Sequence, residues 1–331
     1  GGADVNIKKK TDQLIQSKST IAVFFILFIL SGILFADRNF LSFASVQNLV
    51  KKGASDGGFL ALGMTFVILI GQIDLSVGSV LALGGVLMAM FGNDNMLLGI
   101  GLGLLAGAAC GFLNGFMVAK MKISSWIATL AMMLAVRGMI MLMTSKKPIP
   151  ITNPAISLLG DSRPFGIHIL IIVLAVLTLA CMFVSRRTKL GMALYAVGGN
   201  EEASRMMGLK VDTVKIAAFT ICGLFASLSG MLLASKLYTA QPTAGDVWET
   251  TAIAMCALGG VKLSGGEGRF SGTFFGILII SIINTIFNYA GNLNSWWQNI
   301  VMGGLILVSI GLQSDIFHFS KKAKCAEGVQ S

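Results

Sequence analysis

Long apolar stretches separated by short polar links dominate this chain. Ten of them have the length of a membrane crossing or close to it, since a spanning helix needs roughly 20 apolar residues. Because lipid offers no water to unpaired peptide groups, such runs predict α-helices. They cover residues 20–36, 57–71, 76–92, 96–119, 123–143, 166–185, 212–234, 250–262, 270–290 and 295–314. The pattern predicts an all-α polytopic membrane bundle of about ten transmembrane helices.

Two places in this pattern predict half-helices with unwound backbone between them. Asp74 and Gly78 interrupt the second and third runs, and the eighth run is short and ends at Gly259 and Gly260. The segment 71–78 also resembles 259–266, with Gly, Leu, Ser and Gly at matching positions. This echo is either a structural repeat, as in many transporters, or a chance match within glycine-rich sequence.

The basic residues indicate how the bundle is oriented. Among 331 residues, Lys and Arg total 25 and Asp and Glu 15, giving a net charge of +10. The basic residues lie in the links between apolar runs, which indicates membrane topology rather than nucleic-acid binding. We expect both termini to be cytoplasmic, with a tail at 1–19 that shows no cleavage site of a signal peptide, a transmembrane domain at 20–314 and a second tail at 315–331.

Two links are longer than a tight turn requires. The link from Thr144 to Phe165 contains four prolines and is expected to be an ordered external loop. The link 186–211 is expected to lie on the cytoplasmic side and to contain a short surface helix. Glu201 and Glu202 would occupy its first turn, where carboxylates favour the helix dipole, and Gly208 would end it.

Small residues recur at every fourth position of the fourth run. At this spacing they share one helix face and let the backbone of a neighbouring helix approach closely. We therefore predict a close helix contact along Gly99, Gly103, Gly107, Gly111 and Gly115.

A few polar residues stand out within apolar surroundings and are candidates for a translocation path. Ionisable groups at membrane depth are costly, so they pair or line a water-filled path. The candidates are Asp74, Ser76, Asn114, Arg137 and Glu249. Asp74 and Arg137 would form an ion pair. Otherwise Asp74 would cap the next half-helix at Ser76, and Arg137 would snorkel towards the membrane surface or bind carbonyl groups. So few buried carboxylates are atypical of a carrier driven by protons or sodium.

Motifs for chemistry on this chain are missing from the sequence. Leu263–Glu267 spells the Leu-Ser-Gly-Gly-Glu signature of an ATP-binding cassette, but the chain contains no Gly-Lys pair and hence no phosphate cradle. No pair of carboxylates or Ser/His/Asp set suggests catalysis. The five cysteines have no CxxC or Cys/His spacing. We expect no enzyme activity, cofactor, metal site or disulfide.

Several ungapped blocks resemble a known family. The segments GMTFVILIGQIDLSVGSVLALGG, YAVGGNEEASRMMGLKV, AQPTAG and ALGGVKLSGGEGRFSGTFFGILI are similar to permease subunits of bacterial monosaccharide ATP-binding cassette (ABC) importers, the ribose permease type. The resemblance runs from about Phe40 to Gln313. It implies a subunit of the bacterial inner membrane, as a homodimer or paralogous heterodimer, that moves a pentose or hexose inward by alternating access. It also implies a separate ATPase subunit, which uses the ATP, and an external sugar-binding protein.

The resemblance assigns a role to the surface helix. Residues 202–208 are similar to the family's Glu-Ala-Ala-x-x-x-Gly coupling loop, with Ser204 in place of the second Ala. The implied contacts with the ATPase are therefore Glu201, Glu202, Ala203, Ser204 and Gly208.

The chain also departs from the pattern of ribose- and galactose-type permeases. Thr251 stands where those permeases commonly carry aspartate. The solute could therefore be a nucleoside, a signalling furanose or a branched-chain amino acid. A carrier coupled to ions is the alternative from a different class.

Overall fold

The chain forms a helical bundle in a computed structural model that describes residues 20–36 and 39–290, with isolated positions between 297 and 311. The tenth predicted run is therefore described only in part, and the tails 1–19 and 315–331 lie outside the described residues. The helices are α1 Thr20–Leu34, α2 Phe43–Gly53, α3 Phe59–Leu69, α4 Val77–Gly92, α5 Met96–Ala119, α6 Ser125–Thr144, α7 Pro154–Asp161, α8 Ile169–Arg187, α9 Lys189–Gly199, α10 Glu201–Met206, α11 Val211–Leu237, α12 Trp248–Leu258 and α13 Phe270–Ala290.

Within the described residues, five helices are long and apolar enough to cross a membrane: α5, α6, α8, α11 and α13. Helices α1 and α4 are apolar but shorter. The helix α5 has the bounds predicted from the run 96–119, and α13 those of 270–290. Both predicted breaks are present, since 70–76 contains no helix and α12 has only 11 residues. An all-α architecture is thus confirmed.

The apolar pattern did not predict α2. This helix is amphipathic, and its N-cap Ser42 accepts a hydrogen bond from the backbone N–H of Ser45. An irregular turn at Ala54–Gly58 separates α2 from α3, and Gly57 takes a φ of 118° there. Glycine adopts this conformation without the steric cost of a side chain.

The core of the bundle surrounds α3. Every residue of α3 is buried, and its neighbours include α11, α12 and α13. A helix that is apolar on all sides is suited to such a position, because no face of it needs water.

The predicted glycine face of α5 packs against α11 and α4. A Cβ built on Gly107 would lie 2.5 Å from the carbonyl oxygen of Gly223, and one on Gly103 would lie 3.1 Å from that of Gly84. Gly99 and Gly115 meet neighbouring backbone in the same way, and Gly111 meets the backbone of Phe219. The backbones of α5 and α11 therefore touch without intervening side chains.

The helices give the bundle two distinct ends. At the first, which we call the β end, β1 (Ile149–Pro150) pairs antiparallel with β2 (Thr239–Ala240), and Asn93 at the end of α4 donates to the carbonyl of Pro150. The predicted ordered loop 144–165 lies here and includes α7. At the other, which we call the α10 end, Lys120 at the end of α5 meets Asp212 at the start of α11.

The two echoed segments of the sequence contact each other near the α10 end. The backbone N–H of Gly266 donates to the carbonyl of Leu69 at 2.9 Å, and a Cβ on Gly71 would lie 3.0 Å from the carbonyl oxygen of Ser264. Each segment follows an 11-residue helix, α3 or α12. The Leu-Ser-Gly-Gly-Glu string is part of this turn, as predicted.

Substituting Gly107→Leu is expected to disrupt the bundle. The larger side chain would push α5 and α11 apart, and overpacking a core typically costs about 1–3 kcal/mol of stability. Melting of the protein in detergent, followed by size-exclusion chromatography, measures the loss. The matched control is Gly101→Leu, because among the described residues a Cβ at Gly101 would have no heavy atom of another helix within 4 Å. Equal melting of the two variants would show that the glycine contact does not hold the bundle.

Candidate functional site

The predicted surface helix is α10, and its local sequence explains its bounds. The Asn200 side chain accepts a hydrogen bond from the backbone N–H of Ala203, which caps the helix start. Beyond the helix, Gly208 takes a φ of 80°, a conformation that glycine adopts readily and that ends helices. The Ser204 side chain is buried beneath the helix.

Ion pairs fix α10 to the bundle. The Lys215 ammonium of α11 is nearly buried and lies 2.6 Å from Glu201, while Arg205 lies 3.0 Å from Asp212. Lys120 also contacts Asp212, at 3.0 Å. Burial by itself would raise the pKa of Glu201, but the Lys215 ammonium and the Arg205 guanidinium together lower it by more. The pKa of Glu201 therefore lies below its ordinary value. The helix α10 is therefore attached directly to α11. It is also linked to Lys120 at the end of α5, because Arg205 and Lys120 share the Asp212 carboxylate.

The two predicted glutamates of α10 have different surroundings. Glu201 faces the bundle through Lys215, whereas Glu202 is exposed. Met206 and Met207 are 83% and 71% exposed beside it. Exposed methionines at a helix end form an adaptable apolar surface, which is typical of a contact with another protein.

Three of the predicted path residues form a buried hydrogen-bond network. Asp74 Oδ1 accepts from the backbone N–H of Ser76 at 2.9 Å and from its hydroxyl at 2.7 Å. Asn114 donates to the Ser76 hydroxyl at 2.8 Å. Thr129 of α6 accepts from the backbone N–H of Leu75. The network fixes the start of α4, in line with the capping role considered for Asp74.

Arg137 binds a different part of the chain, so the alternative of an Asp74–Arg137 ion pair is wrong. Its guanidinium donates to the carbonyls of Pro242 and Ala244 at 2.6 and 3.1 Å and lies 2.7 Å from Asp246. All three partners belong to the segment 241–247, between β2 and α12. Carbonyl binding, the other alternative for Arg137, is confirmed.

The segment 241–247 returns from the β end into the bundle, where α12 begins. A Cβ on Gly245, whose φ is 73°, would lie 2.7 Å from the carbonyl oxygen of Gly78 at the start of α4. Glu249 occupies the first turn of α12, where the helix dipole favours a carboxylate, and its Oε2 lies close to Gly78. The structure thus places Glu249 near Arg137 but apart from the Asp74 network.

A cleft of about 480 Å³ opens beside this segment. We call it the β-end cleft. Its polar and aromatic lining residues are Asp56, Lys236, Gln241, Thr243, Asp246 and Trp248. The Lys236 ammonium lies 2.6 Å from the Ser55 hydroxyl and 3.8 Å from the Asp56 carboxylate.

Sequence reasoning missed the β-end cleft. Its residues lie far apart in the chain, in the links around 56 and 241–248, and no spacing connects those links. In the sequence, Pro242 and Gly245 indicate an irregular segment, but they do not indicate where that segment runs in the fold. A Cβ built on Gly57, next to Asp56, would lie 3.7 Å from Thr251 Cγ2.

We expect Arg137 to be energetically coupled to Asp246 and not to Asp74. In double-mutant cycles with Arg137→Gln, Asp246→Asn should show a coupling of about 0.5–3 kcal/mol, because the two side chains touch. Asp74→Asn should be additive with Arg137→Gln within about 0.5 kcal/mol. Chemical unfolding in detergent measures both cycles. Coupling to Asp74 alone would contradict the contacts described here.

Comparison with known proteins places these features in one family. The sequence pattern described as "Branched-chain amino acid transport system / permease component" matches residues 54–310. The ribose import permease protein RbsC of Escherichia coli K12 is 39% identical over 303 residues, which cover 90% of this chain and 93% of that protein. The RbsC protein of Bacillus subtilis strain 168 has the same identity and coverage.

A further relative is named for a different sugar. The L-arabinose ABC transporter permease protein AraH of Azospirillum brasilense is 33% identical over 300 residues, covering 90% of this chain and 87% of AraH. No solved structure matches the chain significantly. The apolar helices and these relatives identify a multi-pass inner-membrane protein. The chain belongs to the family of transporter permeases described as branched-chain amino acid transport system / permease component.

Proposed function

We propose that this chain is the membrane subunit of an ABC importer that moves a monosaccharide inward by alternating access. The observation that carries the proposal is α10, a short surface helix fixed to α11 and exposing Glu202, Met206 and Met207. The names of the relatives, which import ribose and arabinose, support a sugar as the solute. The chain supplies the path, and a separate ATPase subunit binds and hydrolyses ATP.

The rest of the assembly follows from this proposal. The α10 end, rich in Lys and Arg, would face the cytoplasm, with both termini on that side and about ten spans in all. The β end would face the external sugar-binding protein. Two copies of the chain, or this chain and a paralogue, would enclose the path.

The contact with the ATPase is proposed to use the exposed side of α10. Glu202 and Met206 are four residues apart and so share one helix face, which Met207 extends. Glu201 has a different task, because its carboxylate compensates the buried Lys215. Movement of α10 would then displace α11, to which Glu201 and Arg205 attach it.

Removing the exposed apolar surface of α10 is expected to uncouple the importer. Met206→Glu with Met207→Glu should lower co-purification of the ATPase subunit and sugar uptake by at least tenfold, because carboxylates would enter an apolar contact. The permease should melt as the wild type does. Leu158→Glu is the control for ATPase co-purification, since Leu158 is an exposed apolar residue of the opposite end. Normal uptake by the double methionine variant would refute α10 as the coupling element.

Glu201 and Glu202 should differ in their effect on stability. Glu201→Gln should lower the melting temperature clearly more than Glu202→Gln, because it leaves the nearly buried Lys215 without its carboxylate. The Glu201 carboxylate has a lowered pKa in the folded state, so its stabilising effect is complete above the ordinary pKa of about 4.5 and is lost as the pH falls below that value. Melting scans of both variants from pH 7 to pH 4 test this. A gap between the variants that does not shrink towards pH 4 would show that charge is not the cause.

A further inference from the structure

The β-end cleft has a composition that fits a small polar solute. Its volume of about 480 Å³ lies within the range of about 300–1,000 Å³ typical of ligand sites. Its wall combines the indole of Trp248 with apolar groups of Leu233, Leu237 and Ala244. The remaining lining residues are polar, so the cleft offers an apolar surface and a hydrogen-bonding rim together.

We propose that the β-end cleft binds a neutral monosaccharide directly and excludes charged solutes. A pyranose or furanose has faces of C–H groups and a rim of hydroxyl groups, each able to donate and accept hydrogen bonds. Trp248 matches the C–H face, and Gln241 and Thr243 match the hydroxyl rim, since an amide and a hydroxyl both donate and accept. This inference rests on the proposed function and adds a point of selection within the membrane subunit.

Charge compensation is the reason for excluding charged solutes. The Asp56 carboxylate lies 3.8 Å from the Lys236 ammonium, and the Asp246 carboxylate lies 2.7 Å from the Arg137 guanidinium. Each carboxylate of the cleft thus has a cation beside it, and the lining carries little net charge. A neutral sugar can accept or donate hydrogen bonds at the outer edges of these pairs. A charged solute would lose its hydration shell in the cleft without meeting an unpaired charge of opposite sign, and burying a charge in this way is costly.

The wall of the cleft is also held in place before any solute arrives. Arg137 fixes the carbonyls of Pro242 and Ala244, and the backbone of Gly245 rests on Gly78. A preformed wall lowers the entropic cost of binding, so weak contacts suffice for a transient subsite. Arg137 is thus a positioning residue, because it acts on the solute only through the segment 241–247.

Saturation-transfer NMR on the purified chain in nanodiscs tests direct binding. D-ribose and L-arabinose are the neutral probes, and ribose 5-phosphate and L-leucine are the charged ones. We expect signals from at least one neutral sugar and from neither charged probe. Trp248→Ala should reduce the sugar signal at least fivefold, whereas Trp248→Phe should retain most of it. Trp126→Ala, at an exposed tryptophan of α6, is the matched control and should change nothing.

A change of charge provides the second arm. Asp56→Asn leaves Lys236 without its carboxylate and should make the cleft accept ribose 5-phosphate, at least fivefold above the wild type and less at high salt. Lys236→Gln should not have this effect. Should Trp248→Ala fail to fold, this arm decides the proposal by itself.

The outcomes separate this proposal from the proposed function. Loss of the sugar signal in Trp248→Ala, with ATPase co-purification intact, supports the subsite. An unchanged signal in that variant, equal binding of charged probes by the wild type, or no gain of ribose 5-phosphate in Asp56→Asn overturns it. Each of these results leaves the importer assignment standing, because that assignment depends on the α10 contact and on uptake.

Discussion

Backbone contact between α5 and α11 is the constraint on which the rest of this molecule depends. In lipid, apolar side chains gain little by leaving their surroundings, so helices associate through close packing and hydrogen bonds. The glycines of α5 permit that packing, and Ser227 of α11 adds a hydrogen bond to the carbonyl of Gly103. A single branched side chain in this seam would separate the backbones by more than the surrounding helices could follow. The positions of α3 and α4 are set against this pair.

The seam makes α11 a continuous connection between α10 and the β-end cleft. At 1.5 Å per residue its 27 residues extend over roughly 40 Å. Its first turns carry Asp212 and Lys215, which hold α10, and its last turn carries Lys236, which lines the β-end cleft. If α10 is the coupling element, its displacement would reach the cleft through one continuous helix. Because α5 is locked to α11 along most of its length, the two helices would move as one body.

The sequence was sufficient for features that depend on local periodicity. The bounds of α5 and α13, the short α12, the capped helix α10 and the glycine face all follow from residues within one turn or one run of each other. It was insufficient where polar groups from distant segments meet. Scarcity made Asp74 and Arg137 candidates for an ion pair, and the sequence could not decide between that pair and separate local roles. In the structure Asp74 accepts hydrogen bonds from Ser76, two residues away, and Arg137 binds the segment 241–247. The amphipathic α2 was missed because a search for long apolar runs does not detect it.

Two largely buried cations share one arrangement that bears on mechanism. Arg137 and Lys215 are cations with 18% and 7% of their side chains exposed, and each pairs with a more exposed carboxylate, Asp246 at 57% or Glu201 at 40%. A buried cation is costly unless compensated, so the bundle holds both carboxylates in place. Asp246 lies where a solute would bind and Glu201 where a partner subunit would dock. Any contact that draws either carboxylate away changes the energy of a cation inside the bundle. Under the proposed function, events at both surfaces would thereby be linked to the helices that carry the two cations, α6 and α11.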